Sequence, residues 1–229
     1  ITALENSVVP ERYTRNMHTL SALDQIKLLQ SQVAIVGLGG LGGTVAETLA
    51  RIGVGAITLI DGDVFDESNL NRQVLCAENN LSQAKVEAAA RRIAKINSSI
   101  RVAAHPRSLI PENALGLLAG AKVAVDCLDN ITTRFDLEAA SKALGIPMVS
   151  AAVGGYAGQL TTIFPEDKGL ALIYGPAENI SATRGAEVTL GNLACTVSTI
   201  ASLESAEVVK LLLNKASRLR NRLLIIDLE

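Results

Sequence analysis

An α/β fold built on a Rossmann-like, doubly wound sheet follows from three features of the sequence. Short apolar runs recur between amphipathic segments. The first run, QVAIV, passes directly into the glycine turn GLGGLGG at 37–43, and the second, AITLI, ends on the carboxylate of Asp61. Strands alternating with helices assemble a parallel sheet through right-handed crossovers. The chain has 229 residues, 48% of them hydrophobic and 19% charged, which suits one large domain with a substantial core.

The elements follow in order. LSALDQIKLLQ at 20–30 has apolar residues at helical spacing and closes an N-terminal helical arm, 1–31. QVAIVG is the first strand, LGGTVAETLARIG a helix closed by Gly53, and AITLID the second strand. SQAKVEAAARRIAKIN at 82–97 reads as a long helix with Ser82 as its N-cap. RVAAHP is a third strand, followed by a short helix after Pro111. KVAVDC is the fourth strand, TTRFDLEAASKALG a helix ending at Gly145, and PMVSAAV the fifth strand. GGYAGQLTTIFP turns into a half-exposed strand that begins an antiparallel C-terminal part. Residues 165–190 are polar and Gly-rich and read as a long mobile loop, of the kind that is functional or disordered in a compact domain. The helix NLACTVSTIASLESAEVVKLLLN and the strand RLLIIDL finish the chain. The expected organisation is thus a nucleotide-binding half at 32–153 followed by a second half at 154–229.

Composition excludes several classes. Only 3% of residues are aromatic, Trp is absent and the net charge is −2, so neither the stacking platform nor the basic footprint of a nucleic-acid binder is present. The apolar runs are too short and too often broken to span a membrane. The N-terminus has no signal-peptide pattern, so the expected location is cytoplasmic. Cys76, Cys127 and Cys195 lie far apart without a CxxC pair, which argues against a disulfide framework or a cysteine zinc site.

The turn at Gly37, Gly39 and Gly42 fits G-x-G-x-x-G between a strand and a helix, where backbone N–H groups can approach phosphate or ribose. Asp61, at the end of the second strand, is placed to accept from ribose hydroxyls. Asn71, Arg72 and Gln73 in NLNRQ then fall beyond the carboxyl edge of the sheet, and Lys85 faces the same edge. An arginine fork, an ammonium and two amides fit a triphosphate better than the pyrophosphate of NAD, which backbone amides alone can serve. A carboxylate facing such cations is useful if Mg²⁺ sits between it and the phosphates. DCLDN offers two, Asp126 and Asp129. Asp129 is the expected ligand, and Asp126 the alternative, unless it is a buried turn former bonded to its own backbone.

Several motifs occur together: GLGGLG (Gly37, Gly39, Gly40, Gly42), DGD (Asp61, Asp63), NLNRQ, SQAKVEAA, DCLDN, PMVSAAV with GQLTTIFP, and the N-terminal RYTRN. In this order they resemble the ThiF/MoeB/HesA family, prokaryotic relatives of ubiquitin-activating enzymes, from about Arg12 to Asp227. The resemblance implies an ATP- and Mg²⁺-dependent adenylyltransferase that activates the C-terminal Gly-Gly carboxylate of a ubiquitin-like sulfur carrier, which the second half would bind. It implies that Asp61 binds the ribose, that Arg72, Gln73 and Lys85 hold the phosphates, and that Asp129 holds Mg²⁺. Arg15, in a polar segment with no evident core to join, would reach the phosphates of the partner subunit in a homodimer.

The sequence also departs from the family. Many relatives carry two CxxC pairs for zinc; none occurs here, so zinc is not expected. Relatives that form a thioester place a cysteine in the crossover loop, and 165–190 has none. Cys195 comes closest and reads as a buried packing residue, as does Cys127, so the reaction is expected to stop at the acyl-adenylate. Three other readings compete: adenylation of a different carboxyl (a small molecule or a modified tRNA base), an NAD-dependent oxidoreductase opposed by Arg72 and Lys85, and a non-catalytic nucleotide-gated scaffold.

Overall fold

Strand after strand of the N-terminal half is apolar on both faces, the signature of a parallel sheet covered on both sides. A computed structural model describes residues 1–180, 185 and 187–229. Among these, strands β1 (Gln32–Val36), β2 (Ala56–Ile60), β3 (Arg101–His105), β4 (Val123–Asp126), β5 (Met148–Gly154), β6 (Ala157–Ile163) and β7 (Leu224–Asp227) form one sheet. Their order is β3-β2-β1-β4-β5-β6-β7, with β1 to β5 parallel and β6 and β7 antiparallel. The expected fold class is what the structure shows, and a single sheet runs through both halves.

Alternate residues of each strand feed two cores. Val33, Ile35, Ile57, Leu59, Val123 and Val125 pack under α3 (Gly40–Ile52), α4 (Lys85–Ile96) and α9 (Ala194–Leu212). Ala34, Val36, Ile60 and Ala124 pack under α5 (Pro111–Leu118) and α6 (Ile131–Ala143). Pro111 opens α5 at a position where its missing N–H costs nothing, and Gly53 closes α3 at φ +99°.

The N-terminal arm corrects one expectation. It comprises α1 (Thr2–Glu5), a 3₁₀ turn at Glu11–Asn16 and α2 (Ala22–Leu29). Leu4 and Tyr13 are buried, and Asn97 Nδ2 donates to the Tyr13 hydroxyl at 2.8 Å. Asn16 and Gln25 both donate to the Ile52 carbonyl at the end of α3. The segment around Arg15 therefore has a core to join, because one aromatic ring suffices to anchor it.

The start of α4 corrects another. Ser82 has φ +63° and is not a cap. Its N–H donates to the Phe65 carbonyl, Phe65 donates to Gln83, and Val64 bridges Ala84, so 82–84 are held extended against 64–65. The helix begins only at Lys85, whose own N–H donates to the Asp63 carbonyl. Tertiary pairing overrides the local cap signal here.

The described residues of 165–190 include short regular elements. They contain α7 (Ala171–Tyr174), a 3₁₀ turn at Ala177–Asn179 and α8 (Glu187–Leu190), with Leu170 fully buried. Residues 181–184 and 186 of this stretch lie outside the described residues. Among the described residues, no helix is long and apolar enough to cross a membrane.

Ser21, by contrast, caps α2 in a capping box with Asp24. Ser21→Ala should cost about 1 kcal/mol in urea denaturation, whereas Ser82→Ala should stay within about 0.5 kcal/mol. Equal losses would contradict the placement of the α4 start.

Candidate active site

β1 and β4 are neighbours, but the chain leaves them toward opposite sides of the sheet, and a cleft opens beyond their carboxyl ends. It encloses about 280 Å³ and is lined from β1, β2, β4, β5 and the start of α9. The glycine turn forms one wall. A Cβ at Gly37, which has φ +88°, would lie 2.6 Å from the Cys127 carbonyl; one at Gly42 would lie 1.8 Å from the Gly37 carbonyl. One at Gly40 would lie 2.7 Å from Val197 Cγ1. These three glycines are therefore required by the protein's own contacts, and Gly42 does not line the cleft. Gly39 differs: its nearest neighbour would be Gln73 Nε2 at 3.6 Å, and it lines the cleft. Ligand approach, the reason expected for all of them, applies most directly there.

Asp61 ties this wall to the next. Its carboxylate accepts from Leu38 N at 2.6 Å and from Asp63 N at 2.7 Å. Burial raises its pKa, opposed by those two backbone donors and by Lys85. Asp63 in turn takes Lys85 Nζ at 2.9 Å. Lys85 is buried while Asp63 is exposed, so this ammonium enters the cleft already paired, not as the free cation its sequence position suggests.

NLNRQ divides its labour. Arg72 Nη1 donates to the Ser68 carbonyl at 2.9 Å and to Asn71 Oδ1 at 2.8 Å, which fixes one arm of the guanidinium and leaves its other donors uncommitted among the described residues. Gln73 is buried and lines the cleft, and its Oε1 has no partner among the described residues. Rotation of that amide presents either a carbonyl or an NH₂ to a ligand. Asn71 does not line the cleft; it supports it, donating to the Asn192 carbonyl at 3.1 Å.

DCLDN resolves its two carboxylates. Asp126 is fully buried and accepts from Arg134 Nη1 at 2.9 Å, Ser150 Oγ at 2.6 Å and its own loop's Leu128 N at 3.2 Å. It is the buried turn former. Arg134 donates further to the Ala151 and Leu128 carbonyls, which binds β4, β5 and the Asp129 loop together. Asp129 is exposed, lines the cleft and has no protein partner among the described residues. No group of three or more His, Cys, Asp or Glu side chains able to hold a metal occurs among the described residues. A carboxylate unpartnered among the described residues, in the same cleft as the Gln73 amide oxygen, does fit the sparse protein contribution of a Mg²⁺ site completed by phosphate oxygens and water.

The ThiF family pattern matches residues 13–229, nearly the whole chain. The chain belongs to the ThiF family. It is 32% identical over 219 residues to the SAMP-activating enzyme E1 of Haloferax volcanii, covering 95% of this chain and 81% of that protein. It is 37% identical over 193 residues to the sulfur carrier protein ThiS adenylyltransferase of Escherichia coli, covering 83% and 76%. The adenylyltransferase and sulfurtransferase MOCS3 of Mus musculus is 39% identical over 160 residues, covering 69% of this chain and 35% of that longer protein. Among solved structures, E. coli MccB crystallised with ATP superposes at TM-score 0.74 and 24% identity, covering 96% and 68%, which supports the fold.

Within this ThiF-family chain, several residues were not foreseen at the cleft. Ser108, Leu109, Thr133, Arg134 and Asn192 all line it. Arg134 carried a readable signal, an arginine on the apolar side of its helix; Asn192 carried none. Arg15 is exposed on the N-terminal turn and does not line its own chain's cleft. Cys127 is buried, as expected. Cys195 is exposed in the first turn of α9, so its expected packing role is corrected: Ala194 and Cys195 face outward, and Thr196 and Val197 take the buried positions of that turn.

Behind the cleft floor, Glu204 of α9 is fully buried; its Oε2 receives the Cys127 thiol at 3.5 Å and its Oε1 has no partner. Burial pushes its pKa well above the ordinary value of 4.5, and Asp126 adds to the rise. Above the unfolded-state value the folded chain alone keeps this proton, so its contribution to stability is complete below about pH 4.5 and declines as pH rises toward the folded value. The decline is about 1.4 kcal/mol per pH unit within that window. Glu204→Gln should remove it, making the variant progressively more stable than the parent as pH is raised in denaturant titrations. Parallel stability profiles for the two proteins would contradict this.

Proposed function

We propose that the chain is an ATP- and Mg²⁺-dependent adenylyltransferase that activates the C-terminal Gly-Gly carboxylate of a ubiquitin-like sulfur carrier. The observation that carries the reading is Asp129, an exposed carboxylate, unpartnered among the described residues, in the same cleft as Arg72 and the Asp63-paired Lys85. NAD has no use for that set; the triphosphate of ATP has. In this reading Asp61 takes the ribose, Gly39 admits the phosphates, and Arg72, Gln73 and Lys85 neutralise them.

The chemistry asks for little beyond placement. A carrier carboxylate oxygen forms a bond to the α-phosphorus, the bond from that phosphorus to the bridging oxygen breaks, and pyrophosphate departs with the electron pair. No proton moves, so the chain need supply no general base, only alignment and charge. Mg²⁺ held at Asp129 would offset charge on the phosphates and favour departure of pyrophosphate. Arg72 would meet that developing charge from the protein side.

A second cavity of about 300 Å³ shares Asp129, Arg134, Ala152 and Val153 with the first. Gly154 and Ala157 leave its wall without bulk, suited to an extended tail of small residues. Ile225 and Leu190 on its wall are 67% and 60% exposed, an apolar rim for the carrier's body. This supports a division into a nucleotide half, 32–153, and a carrier half, 154–229. The names of the SAMP and ThiS relatives point to the same substrate class.

Asp129→Asn should keep the parent's stability and lower carrier-dependent pyrophosphate–ATP exchange about 10²–10³-fold. Asp126→Asn should instead unfold at much lower denaturant, since an unbalanced buried Arg134 costs about 3–5 kcal/mol. Near-normal exchange by Asp129→Asn would sink the metal-ligand assignment. Calorimetry should register Mg·ATP and not NAD⁺.

The active unit is a homodimer with Arg15 acting across the interface. Val64, Leu70 and Val74 stand 53%, 37% and 56% exposed around NLNRQ, an apolar patch suited to a second copy. Mixing Arg15→Ala with Asp129→Ala chains should restore partial exchange through one intact composite site; verified heterodimers without recovery would refute the sharing.

A further inference from the structure

Asn192 lies between α8 and α9, outside every motif that marks the cleft in the sequence. Its backbone is firmly held. Asn71 donates to its carbonyl at 3.1 Å, Gly155 N donates to the Gly191 carbonyl at 2.8 Å, and Thr196 Oγ1 donates to the Gly155 carbonyl at 2.9 Å. Asn192 also bridges Gly155 in parallel, just past the end of β5. Asn192 lines the cleft, and its Oδ1 is buried with no hydrogen-bond partner among the described residues. An unmatched buried carbonyl is a place for a ligand's donor, and the broad terminal torsion of asparagine lets the amide turn toward one.

Which reactant brings that donor follows from position. Phosphate oxygens at neutral pH only accept. In the adenylation reading the ribose donors of the nucleoside lie at Asp61, just past the end of β2, while Asn192 sits beyond β5. β1 and β4 lie between, so the two ends are three strand spacings apart, roughly 14 Å. The donor therefore belongs to the second reactant, which arrives along the cavity that shares Ala152 and Val153 of β5 with the cleft.

We propose that Asn192 Oδ1 accepts a hydrogen bond from the amide N–H of the residue whose carboxylate is activated, and so selects peptidyl carboxylates over those with no adjacent N–H. The proposal rests on the adenylation reading above. Asn192 is then a specificity-determining residue that acts on the acyl substrate and not on ATP.

The test uses a ThiS-type sulfur carrier ending in Gly-Gly, prepared with its last linkage either as the native amide or as an ester in which oxygen replaces N–H. With the parent enzyme, the ester should lower kcat/KM for carrier in pyrophosphate–ATP exchange about tenfold. Asn192→Ala should treat the two carriers alike, at the lower rate, with KM for ATP unchanged. Equal rates for amide and ester in the parent enzyme would overturn the proposal, and discrimination that survives Asn192→Ala would overturn the assignment to this residue. If the parent binds ATP but exchanges with neither carrier, the carrier reading itself fails, and the inference with it.

Discussion

The carboxylate of Asp61 is the constraint on which the cleft depends. By accepting from Leu38 N and Asp63 N it fixes the glycine turn to the loop beyond β2. Asp63, set in place by that bond, receives Lys85 and also caps the start of α4 through its carbonyl. One half-buried acid thus joins the glycine turn, the Lys85 side chain and a helix origin. Partial burial raises its pKa, and the two backbone donors oppose that rise. A structural carboxylate in this position can also take ribose hydroxyls, because each oxygen has a lone pair beyond the one engaged in the protein.

A fully buried acid, Asp126, performs the matching task across the switch point. Asp126 and Arg134 are both buried, and together with Ser150 they fasten β4 to β5 and to the Leu128 carbonyl. Such a pair gives little net stability, yet leaving one member alone is severe. Its value here is geometric. With Asp126 turned inward, Asp129 is the carboxylate of DCLDN that remains open to the cleft, and the loop that carries it cannot drift. In the proposed reading the charge arrangement has a simple logic: a paired Lys85 and a half-committed Arg72 would meet phosphate, while Asp129 would face a cation.

Much of this was legible in the sequence, for physical reasons. The apolar strands, Pro111 and Gly53 as helix boundaries, and the sheet class are dictated by local patterning. Arg72, Gln73, Lys85, Asp61 and Asp129 were legible as a group because they follow the carboxyl ends of β2 and β4 with residue types that suit one ligand. What was not legible depended on distant pairing. Ser82 looks like a cap until 82–84 pair with 64–65. Lys85 looks like a free cation until Asp63 comes back against it. Gly37, Gly40 and Gly42 suggest a ligand's approach, but the contacts that forbid a side chain belong to Cys127, Val197 and the turn itself. Cys195 looks apolar by its neighbours, and only the facing of α9 decides that it is exposed. Asn192 and Glu204 have no sequence signal because their importance lies in partners they lack.

The central claim is that this cleft joins AMP to a carrier carboxylate, and the mass of the carrier tests it most directly. After incubation with Mg·ATP and the protein, a Gly-Gly-ended sulfur carrier examined intact by mass spectrometry should gain the mass of one adenylyl group. The gain should be lost when hydroxylamine traps the activated carboxyl. A carrier of unchanged mass alongside formation of ADP would contradict the account, because it would place cleavage at the γ-phosphate and leave the carboxylate untouched.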